Sequence, residues 1–348
     1  MQTIATKEDI RRLSLAQLEE AFVNAGQPKF RGRQVYEWLW HKSSRSFTEM
    51  SNLSKDLRAW LDTNFVINSI GTAHYQKSND GTIKCGFKLF DNKIVEGVLI
   101  PTSDRMTACI SSQVGCSLTC KFCATGKMER LRNLEPGEIY DQVVEIKRQA
   151  ESNYQIPLSN IVYMGMGEPL LNYANVMASI EKITSPEGLG MAARRITVST
   201  AGIAKMIKKL ADDGAKFNLA LSLHAANDEK RSHIMPINDS NTLENLAEAL
   251  KYFYAKTGTR PTFEYIIFKD FNDTLTDAAE LADFCKNVPC KVNVIEYNPI
   301  EGGEFQKADD NKIDAFCRFL ESKNIIVNIR RSRGKDIDAA CGQLANKF

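Results

Sequence analysis

Three cysteines stand at C-x3-C-x2-C spacing in Cys116-Ser-Leu-Thr-Cys120-Lys-Phe-Cys123, directly after Gly115. Thiolates grouped in this way are the ligands that iron–sulfur clusters and zinc prefer. Three protein thiolates on a four-iron cluster leave one iron with an open position, and an open position marks a reactive site. A zinc knuckle is the alternative, but it needs a fourth Cys or His at short spacing. The next Cys after Cys123 is Cys285 and the next His is His224, so the spacing favours a [4Fe-4S] cluster.

Other residues could serve such a centre. Gly165-Met-Gly167-Glu168-Pro169 offers two glycines where backbone could approach a ligand, then a carboxylate that could accept from an ammonium group. By itself this is also an ordinary strand-end turn; beside a cluster motif, cofactor binding is the better reading. Ser199 and the segment Ser222-Leu223-His224 can hydrogen-bond a ribose or carboxylate, or can cap and fill the interior. Asn298, in Tyr297-Asn-Pro299, is either a turn residue or a ligand contact. Cys109 ends an apolar run seven residues before Cys116. Cys341 lies in Ala340-Cys-Gly-Gln343 after the basic run Arg330-Arg-Ser-Arg-Gly-Lys335. Cationic charge near a thiol lowers its pKa and favours the nucleophilic thiolate. A buried small hydrophobe is the commoner fate of a free Cys, and it is the reading for Cys85, Cys285, Cys290 and Cys317.

The elements that must position these residues come in two styles. Strand-like runs at 107–110, 161–164, 196–199, 217–223, 263–267 and 292–295 alternate with helical patterns such as 136–147. That alternation implies right-handed βαβ units on a parallel sheet. Six units fall short of a closed eight-stranded barrel, so the fold class is α/β, a partial (β/α)6 parallel barrel, with a last strand at 325–329 on its edge. Active sites of such barrels occupy the loops after the strands' C-terminal ends. The cluster motif, Glu168, Ser199, His224 and Asn298 all fall there.

Before the barrel, residues 70–100 alternate in hydrophobicity around Asn79-Asp80-Gly81 and Asp91-Asn92, a β-hairpin extension. Glu96 sits in its last strand, where an outward-facing carboxylate is the plainer reading. The first 66 residues predict helices: one opened by a Ser14/Gln17 capping box and closed at Gly26, one over 34–40 and one over 55–61. Between Gly26 and Arg45, Lys29, Arg31, Arg33, Lys42 and Arg45 face Glu37 alone, a local charge of +4. Interleaved with Phe30, Tyr36, Trp38 and Trp40, these cations suit RNA; a solvated basic face beside core aromatics is an equal reading. The division is 1–66, an N-terminal helical RNA-binding module; 67–104, the extension; and 105–348, the barrel with a C-terminal catalytic tail.

The chain as a whole sets wide bounds. Its 348 residues, 43% hydrophobic and 25% charged with a net charge of +2, read as a globular protein whose basic surface must be local. Nine cysteines, three of them grouped for metal, point to a reducing compartment, not a disulfide framework. The start lacks the basic and apolar pattern of a signal peptide, and no apolar run approaches a membrane span. A cytoplasmic, monomeric protein is expected.

Together, Cys109-Ile-Ser-Ser-Gln-Val-Gly-Cys116, Gly165-Met-Gly-Glu168-Pro-Leu-Leu-Asn172, Ser222-Leu-His224 and Asp336-Ile-Asp-Ala-Ala-Cys341-Gly-Gln-Leu344 resemble the dual-specificity rRNA/tRNA adenine-C2 methyltransferases of bacteria. These are radical S-adenosylmethionine enzymes, and the likeness covers nearly the whole chain. It implies that Cys116, Cys120 and Cys123 hold the cluster, whose free iron chelates S-adenosylmethionine. Gly167, Glu168, Ser199, Ser222, Leu223, His224 and Asn298 are implied at that cofactor. Cys341 is implied to carry a methyl group to carbon 2 of an adenine in 23S rRNA or tRNA. Cys109 then resolves the covalent RNA intermediate by thiol–disulfide chemistry, and Glu96 accepts the ring proton. An electron donor such as a flavodoxin or ferredoxin is implied too. The sister activity on carbon 8 is the nearest rival, and Pro169 in the glycine motif fits the carbon-2 group. A radical enzyme acting on a peptide or small molecule, and an RNA-binding module with a structural cluster, are more distant.

Overall fold

The computed structural model describes residues 7–347; the reading of residues 1–6 as free of an export signal lies outside them. The main sheet has ten strands, and their spatial order follows the chain. Strands β1 (Gly71–Lys77), β2 (Ile83–Lys88) and β3 (Ile94–Pro101) form an antiparallel meander, and β3 pairs antiparallel with β4 (Met106–Cys109). From β4 onward every pairing within the main sheet is parallel. The strands are β5 (Asn160–Tyr163), β6 (Ile196–Thr200), β7 (Asn218–Ser222), β8 (Thr262–Ile267), β9 (Lys291–Glu296) and β10 (Ile326–Arg330). Nothing pairs β10 back to β4, so the parallel part is an open barrel, and β10 takes the edge position expected of 325–329.

Three helices precede the sheet. Helix α1 (Leu15–Asn24) opens with the predicted capping box: Gln17 N donates to Ser14 Oγ at 3.2 Å and Ser14 N to Gln17 Oε1 at 2.9 Å. Gly26, at φ +69°, follows its last turn. Helix α2 (Phe30–Trp40) begins four residues earlier than its apolar pattern shows, and α3 (Lys55–Asn64) runs three residues longer. Tyr36 and Trp40 are buried, so of the four aromatics in the basic stretch only Phe30 and Trp38 remain near solvent. The carbons of both face cations, Arg31 over Phe30 at 5.0 Å and Lys42 over Trp38 at 4.0 Å.

One long helix, α4 (Pro136–Tyr154), fastens these parts together. Arg11, buried, donates to both oxygens of Asp141 on α4 at 2.9 Å each and to Asn68 O at 2.7 Å. A side chain at Gly137 would collide with that guanidinium, since its Cβ would lie 2.6 Å from Arg11 Cζ. Arg45 pairs with Glu145 at 2.7 Å, and the Trp40 and Tyr140 rings meet edge-on at 5.1 Å. The barrel helices α5 (Tyr173–Thr184), α6 (Ala204–Asp212), α7 (Asp228–Ile234), α8 (Leu243–Thr257), α9 (Leu275–Cys285) and α10 (Asp310–Ser322) fall between successive parallel strands. The core runs continuously from the helical module into the barrel.

Candidate active site

The loop after β4 carries the three cysteines. Gly115 bends it at φ +77°, where a Cβ would lie 2.0 Å from Glu129 O, so glycine is obligatory. Thr119 also takes a left-handed conformation. Phe122, inside the motif, is buried and seats the loop: its ring meets His224 edge-on at 4.7 Å and Phe268 at 5.7 Å. The three thiols are half-buried. Burial pushes Cys116 up to about 11 and raises Cys120 and Cys123, and each of Cys116 and Cys120 also feels Cys123 and Glu168. Among the described residues no three His, Cys, Asp or Glu side chains converge on the point of a single ion. Three soft thiols on one loop are a donor set that fits the three protein ligands of an iron–sulfur cluster.

Glu168 follows β5 and is buried. Its Oε1 accepts from Leu170 N at 3.0 Å and its Oε2 from Ala201 N at 2.8 Å, tying the loops after β5 and β6. Burial raises its pKa, against the hydrogen bonds it receives. The glycines before it have a different cause from the one expected. Cβ atoms at Gly165 and Gly167 would strike Ile110 at 2.7 Å and Gln113 at 2.5 Å, so the close approach they permit is to the loop after β4. Gly167, at φ +94°, turns the Glu168 amide onto Gln113 Oε1 at 2.8 Å. Asn172, at the end of the motif, donates to Ser112 O and Leu134 O and is likewise scaffold.

Ser199 and Ser222 end adjacent strands with their hydroxyls 3.3 Å apart. Leu223 is wholly buried; its amide donates to Glu264 O and its carbonyl accepts from Arg231, so it shapes the rim and has no side-chain group to offer. His224 adopts φ +57°, and its Nδ1 accepts from Ile266 N at 3.1 Å. That bond fixes the tautomer with hydrogen on Nε2. Burial, helped by Arg231, holds its pKa down to about 3, so the ring is neutral. Asn298, buried after β9, donates to Cys341 O at 3.3 Å.

The two remaining thiols meet here. Cys109, at the end of β4, is buried and pushed up to about 12, first by burial and then by Cys341; Arg330 opposes both. Cys341 is open to solvent, yet protein walls it closely enough that burial raises its pKa, with Arg330 again opposing and Cys123 within range. The expected lowering of the thiol pKa by the basic run is therefore corrected. One cation acts in that direction, and desolvation outweighs it. Two other cations of the run fasten the tail: Arg333 donates to Pro101 O at 2.7 Å and Lys335 pairs with Glu296 at 2.6 Å.

Glu96 is not outward-facing. It is fully buried, its Oε2 accepts from Ala345 N at 2.7 Å and Asn346 N at 3.0 Å, and Lys84 Nζ lies 3.4 Å from its Oε1. Two further residues shape the site, Arg231 with no sequence signal and Arg330 announced only as one member of the basic run. Arg231, on α7, is buried and ties Ala201 O, Ser222 O and Leu223 O together. Arg330, at the end of β10, reaches Glu264 Oε2 at 3.1 Å and lies 3.9 Å from Met164 Sδ beyond β5, spanning the open lumen beside both thiols.

Comparison with known proteins agrees with this geometry. The model of the radical SAM superfamily matches residues 110–285, and that of the ribosomal RNA large subunit methyltransferase N-terminal domain matches 9–67. A protein of Cytophaga hutchinsonii named "Probable dual-specificity RNA methyltransferase RlmN" is 63% identical over all of this chain and 96% of its own. The chain belongs to the RlmN family. The "Dual-specificity RNA methyltransferase RlmN" of Geotalea uraniireducens is 43% identical over 98% of each chain. Among solved structures, a radical SAM methyltransferase from Sphaerobacter thermophilus superposes at TM-score 0.92 with 39% identity, covering 98% of this chain and all of that one. RlmN membership thus embraces the helical module, the extension and the barrel together.

Proposed function

We propose that this chain methylates carbon 2 of an adenine in 23S rRNA and in tRNAs, with the roles below. As a family member it is a radical S-adenosylmethionine RNA methyltransferase, and adenine-C2 methylation of rRNA and tRNA is the RlmN activity. The observation that carries the residue assignment is a meeting of thiols: the cluster loop, Cys109 and Cys341 share one neighbourhood at the strands' C-terminal ends.

Cys116, Cys120 and Cys123 would hold the [4Fe-4S] cluster, with Gly167, Glu168, Ser199, Ser222, Leu223, His224 and Asn298 around S-adenosylmethionine. Bound there, the two supply the one-electron chemistry that an electron-poor ring carbon requires. The protein's own work is positioning and thiol chemistry. Cys341, open to solvent, carries the methyl carbon to the base, which must leave its stack to enter. Carbon–carbon bond formation links RNA to the Cys341 sulfur; as the ring rearomatises, its hydrogen leaves as a proton to Glu96 and its unpaired electron goes to a one-electron acceptor. The Cys109 sulfur then attacks Cys341 Sγ. An S–S bond forms, the carbon–sulfur bond breaks, and the departing carbon keeps the electron pair and takes a proton. A two-electron thiol reductant restores both cysteines.

The helical module over residues 1–66 supplies RNA contacts through Phe30, Arg31, Arg33 and the Lys42–Trp38 pair, the extension over 67–104 carries Glu96, and 105–348 forms the barrel and tail. We assign the electron supply to a flavodoxin or ferredoxin, and a monomeric, cytoplasmic state. No helix among the described residues is long and apolar enough to cross a membrane. The test is nucleoside mass spectrometry of rRNA and tRNA incubated with reconstituted protein, S-adenosylmethionine and a reductant. 2-Methyladenosine is expected from both; 8-methyladenosine, or no product, overturns the reading.

A further inference from the structure

The tail that bears Cys341 is stitched down at three places. Ala124 N donates to Gly342 O at 2.7 Å and Thr125 Oγ1 to Leu344 O at 2.6 Å, which ties it to the cluster loop. Asn298 and Gln343 tie it to the loop after β9. The third anchorage is Glu96, four and five residues beyond Cys341, where one carboxylate oxygen receives two successive backbone amides. Lys84, also buried, lies 3.4 Å from Glu96 Oε1 and donates to Lys347 O at 3.4 Å. Asn346 Nδ2 adds a bond to Ile94 O at 2.8 Å. The backbone of Glu96 is fixed from the opposite side, its carbonyl accepting from Ser111 Oγ at 2.6 Å.

We infer that the buried Lys84–Glu96 pair is a latch that holds the Cys341 segment over the site and opens when Glu96 gains a proton. The inference rests on the proposed role of Glu96 as proton acceptor. An ionised carboxylate accepts both amides and pairs with Lys84. A protonated one loses the ion pair with Lys84, and its remaining neutral carbonyl oxygen accepts the two amides more weakly than a carboxylate oxygen does. As the adduct rearomatises, the ring hydrogen leaves as a proton that ends on the Glu96 carboxyl, while the unpaired electron leaves to a one-electron acceptor. Proton capture thereby loosens the tail at the moment when the Cys341 sulfur must be exposed to Cys109 and the RNA released. Lys84 is a positioning residue, since it acts through Glu96 and the tail.

Glu96→Gln imitates the protonated carboxyl in shape and charge, and Lys84→Met removes the cation while filling its space. Hydrogen exchange of the intact protein reads out residues 339–344 around Cys341, with β6 to β8 as the internal control. Each variant should speed exchange of that segment by roughly tenfold or more, the scale of losing a charge-assisted hydrogen bond. Alkylation of Cys341 should accelerate in step, with the control strands unchanged. The double variant should be no looser than the worse single one, because both remove one interaction. Unchanged exchange at 339–344 in both variants overturns the latch, as does full additivity. Glu96→Gln that abolishes RNA methylation with the tail still tight leaves the proton-acceptor role and removes the latch. Undiminished methylation with a loosened tail keeps the latch as an anchor and removes the proton-acceptor role.

Discussion

Replacing Arg11 by alanine should detach the helical module before the barrel unfolds. The guanidinium makes two buried 2.9 Å bonds to Asp141 and a part-buried one of 2.7 Å to Asn68 O. Its removal strands the Asp141 carboxylate, which keeps only the amide of Ile70 at 3.1 Å. Breaking a buried pair from one side costs about 3–5 kcal/mol, or roughly 10²- to 10⁴-fold in the docking equilibrium. Replacing both partners by apolar residues of similar size is much milder, because no charge is left uncompensated. The assay is urea unfolding followed by Trp fluorescence, since Trp38, Trp40 and Trp60 all lie in the module. Arg11→Ala should show an early transition that the parent lacks, and Arg11→Met with Asp141→Leu should recover most of the loss. A single transition at the parental midpoint in Arg11→Ala refutes the clamp, as does a double variant worse than either single one.

Other outcomes follow from the same geometry. His224 is held neutral with its pKa down at about 3, while in the unfolded chain it titrates near 6.5. The unfolded state therefore binds the extra proton between those values, and its stabilising contribution is lost as pH falls from about 6.5 toward 3, by up to ~1.4 kcal/mol per unit. His224→Gln should flatten that acid limb of a stability–pH curve, and an unchanged slope counts against the buried neutral ring. Neutralising Lys29, Arg31 and Arg33 should weaken RNA binding and reduce the slope of log K against log salt by about one per lost phosphate contact. Lys29 already pairs with Glu19 at 3.3 Å, so the exposed Arg33 should contribute more than Lys29; equal, unaltered slopes return this face to ordinary solvated surface. Ala at Cys116, Cys120 and Cys123 together should leave reconstituted protein without iron or sulfide, and four retained irons per chain would exclude the assignment.

What was legible in the sequence was chiefly local or periodic. The Ser14/Gln17 cap, the strand–helix alternation and the Cys spacing each state their own geometry within a few residues. Glu96 was misread because alternation assumes one wet face. On β3 both faces are covered: α4 comes down on Gly97, where a Cβ would lie 3.2 Å from Ile146 Cδ1, and the C-terminal tail covers Glu96 from the other side. That second cover arrives from about 250 residues away, and nothing near Glu96 announces it. The same distance hides the partners of Arg330: Glu264 is two strands away and the contact with Met164 lies across the barrel. The glycines of the 165–167 motif were visible, but their cause was not, since the atoms they make room for belong to Ile110 and Gln113. The basic run predicted a cation beside the thiols correctly. It could not predict that burial outweighs that cation.

The division of labour between two thiols is the centre of the proposed mechanism, and one gel tests it. Labelled RNA is incubated with reconstituted Cys109→Ala or Cys341→Ala protein, S-adenosylmethionine and a reductant, then resolved under denaturing conditions with and without nuclease. Cys109→Ala should still join RNA to Cys341 and, with no thiol to release it, accumulate a nuclease-sensitive shifted band. Cys341→Ala should give neither band nor modified adenine. Equal silence from both variants, or an adduct from Cys341→Ala, contradicts the ordered roles assigned to Cys341 and Cys109.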